Sequence, residues 1–227
     1  FDNEENWDDT HEFLVENLDT ISVSIDAFTS KTLELTRSTD ELDQIKGAIQ
    51  RLLDKRGGSN KPRIVVSFTV EDENLHEKDV FLKYWIKRVD AVRINEAYDD
   101  CKKINTGSER ETREPCREIY DSMSVDFNGV ARMCCLDAYR ETNLGNVFKD
   151  GVLNVWNNNK FKKLRHSHED SSTAIDKFCE GCDQWAGFNI VEEYEKEGLL
   201  IRKTKFSSYY NRVDKLSNWK NSRLKTD

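Results

Sequence analysis

Five of the six cysteines of this 227-residue chain lie between Cys116 and Cys182, and their spacing has the form of a ligand set. Cys116 and Cys134 are separated by 17 residues with Gly129 between them, C-x12-G-x4-C, and Cys179-Glu-Gly-Cys182 follows 44 residues later. A C-x2-C pair lets two thiolates grip one metal centre, with Gly181 relieving the backbone crowding. Two distant thiols plus that knuckle can close a four-thiolate shell around zinc or around an iron-sulfur cluster. Structural zinc sites usually pair two knuckles and only one exists here, which weighs toward the cluster. A redox disulfide at Cys179 and Cys182 is a third reading, but a thioredoxin-like motif sits beside a βαβ unit and this pair follows a polar loop.

The remaining thiols read as bystanders. Cys101 is a lone thiol in a polar stretch, and Cys135, next to a ligand on one strand, is expected to point to the opposite face and pack there, with either able to stand in as a substitute ligand. Around the ligands, Val125 to Cys134 alternates apolar and polar residues on either side of Asn128-Gly129, a dipeptide that favours a type I′ hairpin. That hairpin would hold Cys134 on a strand and lead the preceding strand back toward Cys116. Val152, Val155, Trp156, Phe161 and Leu164 suit a helix or helix pair packed over the thiols, with Trp156 as shield. Burial there would restrict water at the sulfurs and tune a potential. His166 and His168, two apart in a loop-like polar stretch, are expected to be solvated and stand outside the metal set.

Beyond the cysteines, Leu144-Gly-Asn-Val147, Val155-Trp-Asn157, Phe161, Leu164-Arg165 and Cys182-Asp-Gln-Trp185 complete a pattern over residues 116 to 185. It resembles the SPASM/twitch auxiliary-cluster domain of radical SAM enzymes. A full SPASM domain carries further cysteines and two auxiliary clusters; none follows Cys182, so the set resembles the single-cluster twitch form. The resemblance implies one auxiliary 4Fe-4S cluster on Cys116, Cys134, Cys179 and Cys182, accepting an electron from a substrate radical.

The elements ahead of this stretch are strands and helices in alternation. An amphipathic helix is expected within residues 1 to 17, then a strand at Ile21-Ser-Val-Ser-Ile-Asp26. Ser38-x-x-Glu41 has the form of a capping box for a helix whose Leu42, Ile45, Ile49, Leu52 and Leu53 share a face and which Gly57-Gly58 ends. A second strand spans Ile64 to Val70. Asn74 could cap a helix turning Val80, Phe81, Tyr84 and Trp85 to the sheet, and a third strand covers Ala91 to Asn95. These spacings predict right-handed βαβ units and a parallel sheet. One strand face is apolar, while Ser22, Ser24, Asp26, Ser67, Thr69, Arg93 and Asn95 form the other. A polar second face implies a cleft meeting ligand or water, or else plain exposure.

This N-terminal stretch resembles the later strands of the radical SAM partial barrel, giving an α/β chain: C-terminal strands and helices of a partial (β/α)6 barrel, then a small α+β SPASM/twitch domain. Ser24 and Asp26 resemble the fourth-strand position whose side chains approach the ribose of S-adenosylmethionine, making them the cofactor-binding candidates. No C-x3-C-x2-C occurs, nor the glycine-rich second-strand motif, so S-adenosylmethionine and a second 4Fe-4S cluster belong to a longer chain; a degenerate homologue is the other reading. The expected layout is a barrel portion over residues 1–100, a linker over 101–115, the cluster domain over 116–186, and a helical extension with a polar, basic tail over 187–227, in which Ile190, Val191 and Tyr194 continue a helical face.

A net charge of −8 with basic residues spread throughout argues against nucleic-acid or anionic-membrane surfaces, and no basic patch invites phosphate. No apolar run nears the roughly 20 residues that span a bilayer, so a cytoplasmic setting is the default, and reduced thiols suit it. The expected function is the C-terminal portion of a radical SAM oxidoreductase acting on a sugar, cyclitol or peptide, with a reductase or ferredoxin as electron partner. The alternative is a non-catalytic iron-sulfur or zinc module that uses its sheet as an interaction platform.

Overall fold

The computed structural model describes residues 7–97, 114–170 and 173–216; Cys101 and most of the expected linker lie outside them. Two compact units are present, one of Phe1–Ala97 with Ile190–Asp227, the other of Tyr98–Asn189.

The first unit begins with helix α1 (Trp7–Asn17), strand β1 (Thr20–Ser24), and helices α2 (Ser30–Arg37) and α3 (Leu42–Arg56). Then come β2 (Arg63–Val70), α4 (Lys78–Trp85) behind a 3-10 turn at Leu75–Glu77, and β3 (Ala91–Glu96). Strands β1, β2 and β3 are parallel neighbours, with Ile21 opposite Ile64 and Val66 opposite Val92. Their period-2 apolar residues make the core: Ile25, Ile64, Val66, Phe68 and Val92 are fully buried against Leu33, Leu42, Ile49 and Phe81. Burying one such side chain stabilises by about 1.5–3 kcal/mol, so this face dominates the unit's stability. Val80 is exposed although α4 packs on the sheet through Phe81 and Trp85, because only positions four apart share that contact line.

The expected capping box does not form. Ser38 has φ +55 and ends α2 by donating its N–H to Glu34, whereas an N-cap needs extended backbone, and α3 starts after Glu41 without a side-chain cap. Asn74 likewise caps nothing: fully buried, it donates to the carbonyls of Asp26 (2.9 Å) and Thr69 (2.8 Å) and accepts from Glu71 N–H (2.8 Å).

The C-terminal region departs most from expectation. In place of a helical extension, β7 (Glu192–Lys196), β8 (Leu199–Lys203) and β9 (Ser207–Arg212) form an antiparallel meander. It completes a six-stranded mixed sheet of order β1-β2-β3-β9-β8-β7, with β9 antiparallel to β3. Glu197 and Gly198 both have positive φ, +51 and +76, between the paired residues Lys196 and Leu199, which is a two-residue type I′ hairpin. Thus Ile190 and Val191 precede a strand, Tyr194 lies in it, and Ser207–Arg212, within the stretch expected to be helical extension and tail, is a strand.

The second unit holds short elements: α5 (Glu118–Asp121), β4 (Ser124–Val125), β5 (Val130–Arg132), β6 (Gly145–Asn146), α6 (Val147–Asp150), α7 (Val152–Trp156) and α8 (Asn159–Glu169). The three strands make an antiparallel sheet in chain order. Ile119, Ala131, Met133, Leu144, Val155, Phe161, Leu164, Phe178 and Cys179 form its core. Among the described residues of either unit, no helix is long and apolar enough to cross a membrane.

Candidate metal centre

Each cysteine of the predicted set is held by a different local device within the second unit. Cys116 sits just ahead of α5, and its N–H donates to Nδ1 of His168 on α8 (3.2 Å). Cys134 follows β5 by two residues. Cys179 ends a 3-10 turn at Lys177–Cys179, capped by the Asp176 side chain, and is 8% exposed. Cys182 closes the knuckle by donating its N–H to the Cys179 carbonyl (3.2 Å), and Gly181 between them has the expected left-handed backbone, φ +72.

The hairpin ahead of Cys134 forms with different turn chemistry. Gly129 N–H donates to the Asp126 carbonyl (2.8 Å) and Gly129 alone in the turn has positive φ, +82, so Asn128-Gly129 is not the expected type I′ dipeptide and Phe127-Asn128 are the central residues of the turn. Asp126 explains this: its Oδ1 accepts from Asn128 N–H (2.9 Å) and Val130 N–H (3.0 Å), and its Oδ2 from Arg132 (2.6 Å). Asn128 is thereby kept out of the left-handed region and the longer turn ends on a glycine bulge. A Cβ on Gly129 would stand 2.6 Å from the Phe148 ring. Gly129→Ala is therefore expected to cost about 2 kcal/mol or more in urea unfolding, combining left-handed strain with displacement of that ring.

Cys134 itself lies in a turn rather than on a strand, so Cys135 is exposed and not packed on an opposite face. The loop beyond is folded around buried Asp137, whose carboxylate accepts from the N–H groups of Glu141 (2.7 Å) and Thr142 (2.9 Å). Thr142 Oγ1 in turn accepts from Met133 N–H (3.0 Å).

The helices stand where the thiols need an apolar wall. Phe161 and Leu164 of α8 and Val155 of α7 are buried in the core that contains Cys179, with Cys134 packed against it. Trp156 is covered by Arg165, whose guanidinium lies 4.2 Å from the indole and donates to the carbonyls of Ile119 and Trp156 (both 3.1 Å). The Tyr120 hydroxyl donates to Glu169 (2.7 Å); burial, then that carboxylate, hold its phenol well above the ordinary range, so it stays protonated.

Two residues near the thiols were not foreseen. His168 is on a helix and 8% exposed, not solvated, and its place was readable: it follows Phe161 by seven and Leu164 by four, continuing one helical face. Met133 brings its Sδ to 3.3 Å from Cys179 Sγ, a contact no local spacing announces.

Residues 116–183 match the SPASM iron-sulfur cluster-binding domain. The matched segment holds all four predicted thiols and the wall of α7 and α8. Comparison with curated proteins and with solved structures found no match.

The matched segment carries the thiol donors that an iron-sulfur cluster takes. Cys134 is within electrostatic reach of Cys116 and Cys182, and none of the four thiols is in a disulfide. Among the described residues, no three His, Cys, Asp or Glu side chains close on one ion position. Without a cation, burial first, opposed by the Leu136 N–H and reinforced by the neighbouring cysteines, pushes the Cys134 thiol up to about 12. Binding iron must therefore displace its proton.

That shift has a stability consequence for metal-stripped protein. The folded chain keeps the Cys134 proton where an unfolded cysteine, ionising near 9.0, has lost it. Stability is fully present below the unfolded value and falls as pH rises toward the folded one, between about pH 9 and pH 12. Urea unfolding across that window is expected to decline more steeply for the parent than for Cys134→Ser.

In the first unit, the S-adenosylmethionine candidates are engaged with their own fold. Ser24 Oγ shares a hydrogen bond with Ser67 Oγ (2.9 Å) across the β1–β2 pair. Asp26 is buried with φ +61, accepts from Thr69 N–H through Oδ1 (2.6 Å) and pairs Oδ2 with Arg37. Its carboxylate therefore fits a corner-holding role better than a contact with a ribose.

Proposed function

We propose that the SPASM segment binds one 4Fe-4S cluster through Cys116, Cys134, Cys179 and Cys182 and serves electron transfer in a radical SAM oxidoreductase. The observation that carries this is the family match over residues 116–183, which contains those four thiols inside one compact unit. Such a cluster supplies one-electron chemistry when bound. Around it the chain's own residues do the rest: Phe161, Leu164 and Phe178 exclude water, His168 fixes the Cys116 backbone, and Asp137 fixes the loop after Cys134.

A polynuclear cluster is favoured over zinc by the family match and by the single C-x2-C knuckle, since structural zinc sites usually pair two.

The parallel strands β1 to β3 support a place for the first unit as later strands of a partial barrel, with S-adenosylmethionine and a second cluster bound elsewhere in a longer chain. Of the two ribose candidates, Ser24 keeps a hydroxyl at the polar face, while Asp26 is committed internally. The substrate class is a sugar, cyclitol or peptide, the electron partner a reductase or ferredoxin, and the setting a reducing cytoplasm.

The test is iron, zinc and acid-labile sulfide content, with an optical spectrum, on protein purified without oxygen. About four iron and four sulfide per chain are expected. One zinc and no sulfide would move the site to the structural class and end the electron-transfer reading.

A further inference from the structure

Within the second unit a cleft of about 840 Å³ opens beside α8. Its floor is apolar and buried: Met133, Leu144, Leu164 and Phe178. Lys160 and Lys163, one turn apart on α8, and Lys177 line its walls. Lys160 is already turned to the Asn143 carbonyl (2.7 Å), and the Asp176 carboxylate caps Phe178 N–H (2.8 Å). Lys163 and Lys177 enter no ion pair among the described residues. Two ammonium groups outside any ion pair thus line an apolar-floored cleft, with Glu141 and Asp176 as its carboxylates, in a chain of net charge −8. A low-dielectric wall strengthens the attraction of such charges for an anion, and the volume lies in the range of small-molecule sites.

We propose that this cleft binds a small organic oxyanion, a carboxylate or phosphate ester, with Lys163 and Lys177 holding the anionic group and the Met133–Phe178 floor taking the carbon skeleton. The sequence hid the site because its two open lysines sit on different elements, α8 and the turn before Cys179, with no periodicity linking them. Met133 is also the side chain that touches Cys179 Sγ, so a bound anion lies one thioether away from a candidate ligand. Binding itself requires nothing of the cysteines and stands apart from the electron-transfer reading.

The chain has two methionines, Met123 and Met133, and Met133 alone lines the cleft, so methyl-labelled methionine reports on it with an internal control. The full chain is titrated with citrate and, separately, glucose 6-phosphate, with glucose as neutral probe and metal content recorded in parallel. A saturable shift of the Met133 methyl with at least one of the two anions, none at Met123 and none with glucose is expected; which anion binds tells carboxylate from phosphate. Lys163→Gln/Lys177→Gln should weaken binding about tenfold or more, each single change several-fold, and Lys162→Gln, on the same helix outside the cleft, should match the parent. Absence of a saturable shift with either anion, an equal response to glucose, or unchanged affinity in the folded lysine variants overturns the proposal. Because iron is assayed separately, loss of binding and loss of metal are read as different failures.

Discussion

Cys179→Ala strips iron and sulfide from the anaerobically purified protein together, and Cys116→Ala, Cys134→Ala and Cys182→Ala do the same, while Cys135→Ala keeps the full load. The expected effect is near all-or-none, because three thiolates leave one iron open to water and the apolar wall around Cys179 cannot replace a ligand. Cys135 is the informative control. It is exposed beside Cys134, so partial iron in Cys134→Ala that vanishes in Cys134→Ala/Cys135→Ala would mark it as a substitute ligand. Full iron in Cys179→Ala would sink the four-thiolate assignment, whatever the other variants do.

Asp90→Ala is expected to destabilise the first unit by about 3–5 kcal/mol in urea unfolding. Asp90 pairs with Arg56, and the two side chains are 2% and 4% exposed. Asp90 also accepts from Ile64 N–H (2.7 Å), and Arg56 donates to the Pro62 carbonyl (3.0 Å), so the pair joins the end of α3, the start of β2 and the turn before β3. Removing the carboxylate leaves a buried guanidinium and a buried N–H together. Arg56→Met should cost less than Asp90→Ala, since the carboxylate it leaves still accepts from Ile64 N–H and can take up a proton, whereas a guanidinium cannot shed its charge. Equal small losses for both would mean that water reaches the pair.

The parallel strands were legible because apolar residues repeat with period two from Ile21 to Ile25, Ile64 to Val70 and Val92 to Ile94, and helix α3 between the first two because Leu42, Ile49 and Leu52 return to one face. The meander was not. Glu192-Glu-Tyr-Glu-Lys196 lies wholly exposed on a sheet edge and needs no apolar alternation, and Ser207 to Arg212 becomes a strand through pairing with β3, more than a hundred residues earlier. Asn128-Gly129 marked the right turn but not its type, because a carboxylate two residues upstream, Asp126, decided which backbone amides were satisfied.

For the site, the sequence alone marked the iron-sulfur-binding segment that the family match also covers, its C-x2-C knuckle with Gly181, and the aromatic and aliphatic residues of the wall. These follow from side-chain identity and short spacing, which any folded form must respect. Only the tertiary structure decided which groups serve those thiols and what lies beside them. His168 under Cys116, Met133 against Cys179, and Lys163 with Lys177 across one cleft are each set by how separate segments pack. Residues distant in the chain carry no local signal of their meeting, because the energy that joins them is gained only when the core closes.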